Sequence, residues 1–111
     1  MSSKTGQFQA DAATRSALDE RLYILVGRSV KEIRITRVRW PQGKRWVALV
    51  IGRNGREVPL HEGGLHHQAA IVLRDAFPQA NWSRAQDYDV ATGVLREHLV
   101  RLPAGLRDGD R

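Results

Sequence analysis

The sequence predicts a small α+β domain: a three-stranded antiparallel meander with helices packed on one face, in α-β-β-β-α order, followed by a C-terminal hairpin or helix. Three observations carry this. Apolar residues recur at helical spacing over residues 9–26 and again over 65–77. The stretch between them, residues 30–58, is rich in Val, Ile and Trp. That stretch is interrupted twice by turn chemistry, at Pro41-Gln42-Gly43 and at Asn54-Gly55.

Residues 1–8 read as a flexible, polar N-terminal tail, residues 9–102 as a single domain and residues 103–111 as a second flexible tail. The first helix is expected from Gln9 to Val26, with Leu18, Leu22 and Leu25 on its apolar side, Ala13, Ala17 and Ile24 flanking them, and Gly27 as its left-handed cap. Three strands follow: Val30 to Trp40, Lys44 to Gly52 and Arg56 to Val58. The second helix spans Leu65 to Phe77, carries Leu65, Ala69, Val72, Leu73 and Ala76 inward, and stops at Pro78. Beyond it, "YDVATGVL" suits a strand, a turn from Asp89 to Gly93 and a return strand, while "LREHLVRL" also fits a helix.

The chain has 111 residues and a formal net charge of +6, but the charge is not spread evenly. Residues 28–56 hold nine basic residues against one acidic residue. Clustered cations of this kind suit a polyanion, because phosphates release counterions when cations gather on them. Arginine outnumbers lysine fifteen to three. Arginine forks onto phosphate and guanine, and the same skew points weakly to a GC-rich bacterial or phage source. There is no cysteine, which excludes disulfides and thiol chemistry. No apolar run reaches the ~20 residues of a membrane span, and the first residues lack a signal-peptide apolar region, so a cytoplasmic protein without a membrane partner is expected.

A three-residue loop at "PQG" pairs Trp40 with Lys44, Val38 with Trp46, Thr36 with Ala48 and Arg34 with Val50. In that register Ile33, Ile35, Val47, Leu49 and Ile51 form the core face, with Val58 beside Ile51. The other face carries Arg34, Thr36, Val38, Trp40, Lys44, Trp46 and Ala48, and Arg37, Arg39 and Arg45 line the end of the core face. The hairpin tip is then cationic on both sides. The expected nucleic-acid-binding set is Arg34, Arg37, Arg39, Lys44 and Arg45 for charge and readout, Trp40 and Trp46 for flat contacts, and Arg53 and Arg56 for phosphate.

Three strands and a helix around "VRWPQGKRWVALVIG" resemble phage-integrase arm-binding domains and plant DNA-binding domains of the same strand order. The resemblance implies a sheet face laid in a DNA major groove. The order helix, three strands, helix is also similar to the double-stranded-RNA-binding domain. That family starts its second helix with lysines, where this chain has "HEGGLHHQ".

That histidine-rich string comes within one residue of a zinc-protease pattern. His61 and His66 are five apart instead of four, and Gly63 and Gly64 interrupt any helix carrying both. The string reads as a helix start, with His66 at the edge of the apolar stripe and His67 facing out. Asp87 and Asp89 read as turn-forming aspartates. No metal, cofactor or catalytic residue is expected. The expected function is non-enzymatic nucleic-acid binding, duplex DNA before RNA, as a regulator or mobile-element accessory factor. The second expectation is a protein-interaction module or homodimer using the Trp-bearing sheet face or a strand edge.

Overall fold

The computed structural model describes residues 7–40 and 43–98. In chain order the elements are β1 (Gln7–Gln9), α1 (Ala12–Val26), β2 (Val30–Trp40), β3 (Gly43–Gly52), β4 (Glu57–Val58), α2 (Gly63–Ala76), β5 (Gln86–Asp89) and β6 (Val94–Glu97). The six strands form one antiparallel sheet in the order β1-β6-β5-β2-β3-β4. The predicted meander is therefore half of the sheet. The other half, β1-β6-β5, extends it from the far side of β2. The tail expected over 103–111, and the end of the domain at 99–102, lie outside the described residues.

α1 starts where Asp11 accepts a hydrogen bond from the Thr14 backbone N–H at 2.8 Å. That bond holds the Asp11 carboxyl below its ordinary value. The helix ends at Gly27, whose φ of 89° only glycine adopts at little cost and whose N–H closes on the Tyr23 carbonyl. Leu18 and Leu22 are buried, as their spacing predicts. Gln7 and Phe8, expected in a flexible tail, instead pair with Arg96 and Leu95. β6 settles the ambiguity at "LREHLVRL" for Val94–Glu97: these residues are strand, returning through a turn that Asp89 holds by accepting from the Ala91 and Thr92 N–H groups.

The β2–β3 register differs by one residue from the predicted one. Trp40 pairs with Gly43, Arg37 with Trp46, Ile35 with Ala48 and Ile33 with Val50. Gly43 supports this shorter connection with a φ of 135°, a backbone state that a side chain would strain. Because side chains alternate along a strand, the shift exchanges the faces of β3. Ala48 and Val50 are buried against the helices, while Val47, Leu49 and Ile51 are half-buried on the opposite face, which no described helix covers. Val58 lies beside Val50, not Ile51. The physical reason is that β3 is apolar on both faces. Hydrophobicity alone cannot choose between Trp46-Ala48-Val50 and Val47-Leu49-Ile51, so the turn decides.

A break in pairing between Val30 and Glu32 places Lys31 in a bulge and returns Val30 to the core. One apolar cluster joins Leu18 and Leu22 of α1, Ala69, Ala70 and Leu73 of α2, and Ile33, Ile35, Val50, Tyr88 and Leu95 of the sheet. Each large aliphatic side chain in it contributes about 1.5–3 kcal/mol of burial free energy. α2 comes close to the sheet over small Ala48, where β4 has already ended and leaves the Ala48 N–H without a strand partner. His66 fills that place: its Nδ1 accepts from Ala48 N at 3.0 Å. The histidine-rich string is thus a helix start whose second imidazole, His66, completes the sheet edge.

Candidate nucleic-acid interface

β2 and β3 outrun their neighbours. β5 pairs only with Glu32 to Ile35, and β4 only with Val50 and Ile51. From Thr36 to Trp40 and from Gly43 to Val47, the two strands pair only with each other. This two-stranded ribbon extends about 17 Å past the sheet at ~3.4 Å per residue. It carries Arg37, Arg39, Lys44 and Arg45, and no acidic residue between Thr36 and Leu49. Arg39 and Lys44 stand directly opposite one another.

At the base of the ribbon the side chains are engaged. The Trp46 ring meets Trp82 edge-on at 6.4 Å between centroids. The guanidinium carbons of Arg37 and Arg74 lie 5.8 and 5.5 Å from its centroid. Trp82 is anchored in turn by its indole N–H, which donates to the Phe77 carbonyl at 2.9 Å. Trp46 is therefore a half-buried hinge pin between ribbon and α2. The expected exposed stacking surface on the uncovered face is corrected on this point, because the register places Trp46 on the helix side. The side chains of Arg39, Trp40 and Lys44 lie outside the described residues.

Arg34 is a second correction. Its Nε lies 2.7 Å from Asp87 Oδ1, and the other oxygen of Asp87 meets His98 Nδ1 at 2.9 Å. Asp87 and Arg34 face each other across the β5–β2 pairing, so the cation is neutralised within the sheet. Asp87 is thus an ion-pair centre and not a turn former. Arg53 and Arg56 are exposed on the β3–β4 turn, about 30 Å from Lys44 at ~3.3 Å per residue along β3. Arg53 borders a polar hollow with Arg15, Ser16 and Asp19. The structure places Arg37 and Arg45 on neighbouring pairs of the ribbon but on its opposite faces, Arg37 on the helix side with Trp46, and sets Arg34, Arg53 and Arg56 apart from them.

Sequence reasoning missed Arg74, which α2 delivers to the ribbon base; its position in the last turn of a helix ending near the sheet was the available signal. It also missed the Asp87–His98 pair. Among the described residues no group of three or more His, Asp or Glu side chains is placed to hold a metal ion. Nor is any described helix long and apolar enough to cross a membrane. The chain matches no protein-family model, and no curated protein or solved structure aligns with it significantly.

Proposed function

We propose that this chain is a non-enzymatic nucleic-acid-binding protein that inserts its basic β-ribbon into the major groove of duplex DNA. One observation carries the reading: a paired, acid-free ribbon with four basic residues reaches beyond the sheet. A B-form major groove about 12 Å wide admits a two-stranded ribbon, whereas the narrow major groove of duplex RNA does not. Arg37 and Arg45, with Arg39 and Lys44 nearer the turn, serve phosphates and guanine edges. Trp46 and Arg74 stiffen the base so that the ribbon approaches as one unit.

The test is binding to random duplex DNA across a salt series. With about four phosphates neutralised, log K falls against log salt with a slope near −3.6. Arg37→Ala/Arg45→Ala should flatten that slope by about two while lowering the melting temperature by only a few degrees, the loss of the Arg37 contact with the Trp46 ring. Equal slopes for the two proteins would sink the ribbon assignment. A protein-docking role is favoured instead by half-buried Val47, Leu49 and Ile51 on the uncovered sheet face, and an affinity insensitive to salt would select it.

A further inference from the structure

We propose that the corner between the ribbon and the last turn of α2 binds one sugar–phosphate strand of the duplex, with Arg37 and Arg74 as its phosphate ligands and Trp46 beneath them. The corner depends on the ribbon reading, since it takes the strand that edges the groove the ribbon enters. It makes α2 part of the interface.

Two cations from different elements meet at one ring. The guanidinium carbons of Arg37, on β2, and Arg74, on α2, both lie within 6 Å of the Trp46 centroid, at 5.8 and 5.5 Å. Both arginines are exposed, while the indole they share is half-buried and held edge-on to Trp82. Among the described residues neither arginine has a carboxylate partner. A guanidinium drawn against an indole is oriented in advance and sheds water from one side, and its N–H fork is left to find an acceptor. An anion set between the two forks also relieves their mutual repulsion. Phosphate takes such forks bidentately.

The dimensions suit a strand at the lip of the groove. Arg37 lies three residues before Trp40, so it stands about 10 Å behind the end of β2 at ~3.4 Å per residue. A B-form major groove is about 8.5 Å deep, which sets Arg37 level with the phosphates when the ribbon end is at the floor. Arg45, on the opposite face, meets the other strand. The α2 dipole favours one cation in its last turn, Arg74, but does not account for a second one brought by β2. The carbonyls there that would repel a phosphate are engaged: Phe77 O accepts from the Trp82 indole and Leu73 O from Phe77 N, both at 2.9 Å. Asp75, the acid next to Arg74, is turned roughly 100° around the helix from it.

The test is the salt dependence of random-duplex binding by the full chain, read by fluorescence anisotropy. A phosphate neutralised at Arg74, beyond those of the ribbon, steepens the slope from about −3.6 to about −4.5. Arg74→Ala, a change that a helix tolerates well, should return it to about −3.6 and weaken binding about tenfold at low salt on any duplex sequence. Arg74→Lys keeps the charge and should keep the steeper slope. An arginine that only stiffened the ribbon base would lose affinity at an unchanged slope. An Arg74→Ala protein with the wild-type slope therefore overturns the proposal, as does an Arg74→Lys protein as flat as Arg74→Ala. In either case the ribbon reading stands if Arg37→Ala/Arg45→Ala still flattens the slope. If that double variant leaves the slope unchanged, the ribbon fails and the corner fails with it.

Discussion

The two ends of the β2–β3 hairpin have similar composition and opposite electrostatic character. At the sheet end, Arg34 is tied to Asp87, Glu32 and Glu57 both pair with Ile51, and Asp19 shares the hollow beside Arg53. At the ribbon end, the stretch from Thr36 to Leu49 that carries Arg37, Arg39, Lys44 and Arg45 holds no acid. A single run of basic residues in the sequence therefore separates, on folding, into a framework with acids beside it and an arm whose own strand segments carry none. Local charge count does not identify an interface. What does is whether the fold returns acids to the same place, and β5 returns Asp87 and Asp89 only as far along β2 as it pairs.

The sharpest way to break this comparison is to neutralise each end in turn. Arg37→Ala/Arg45→Ala should cost about 2–3 kcal/mol of duplex-DNA binding, or some 30- to 150-fold in Kd at moderate salt. Arg53→Ala/Arg56→Ala should change it less than about threefold, the scale of a rim charge. Fluorescence anisotropy on a labelled duplex measures both. Equal losses at the two ends would show that the charged stretch acts as a whole and that the acids at the sheet end do not matter.

Next in size is stability. Trp46→Ala removes the indole that holds the ribbon to Trp82 and α2, and should cost about 2 kcal/mol, below the 3–5 typical of a fully buried aromatic. Asp87→Asn, at the sheet end, keeps the volume but loses the charge shared by Arg34 and His98, and should cost about 1 kcal/mol. Urea denaturation gives both values. The expected contrast is that only the Trp46 change also loosens ribbon amides in hydrogen exchange, because the Asp87 pairs lie within the six-stranded part of the sheet.

Much of this was readable in advance, for reasons that also explain the failures. α1, α2, the Asn54-Gly55 turn and the turn from Asp89 to Gly93 follow from spacing and turn residues within a few positions. β1 is three residues long and is defined by Leu95 and Val94 from the other end of the described chain, which no local pattern announces. The β3 register was open because both of its faces are apolar. That one ambiguity moved Trp46 from the uncovered face to the helix side and so changed its expected role. Arg34 failed for a related reason, as its partner Asp87 is distant in sequence and on a strand placed beside β2 only by the tertiary fold. Arg37 and Arg45 lie on the ribbon because that depends on β2 and β3 alone, but the same register shift sets them on opposite faces instead of one.

The smallest effect at neutral pH, and the one with the clearest signature elsewhere, belongs to Tyr88 at the sheet end. Its ring packs against Phe77 at 5.6 Å, and the residue is fully buried. Its hydroxyl has no hydrogen-bond partner among the described residues. Tyr88→Phe removes a desolvated group that gains nothing in return, so at pH 7 the change should be neutral or stabilising by up to about 1 kcal/mol. Burial, assisted by the carboxylates of Asp19 and Asp89 and opposed by Arg15, pushes the phenol up to about 12 from its ordinary 10.0. Between those values the unfolded chain releases a proton that the folded chain retains. Stability contributed by the neutral phenol is therefore complete below pH 10 and falls by about 1.4 kcal/mol per pH unit until the folded phenol itself ionises. Urea midpoints at pH 8, 10 and 11 should decline faster for the wild type than for Tyr88→Phe, and subtracting the two series removes the lysine and exposed-tyrosine contributions common to both. Parallel declines would mean that the Tyr88 hydroxyl ionises in the folded protein as readily as in the unfolded chain, and that it is not left without compensation.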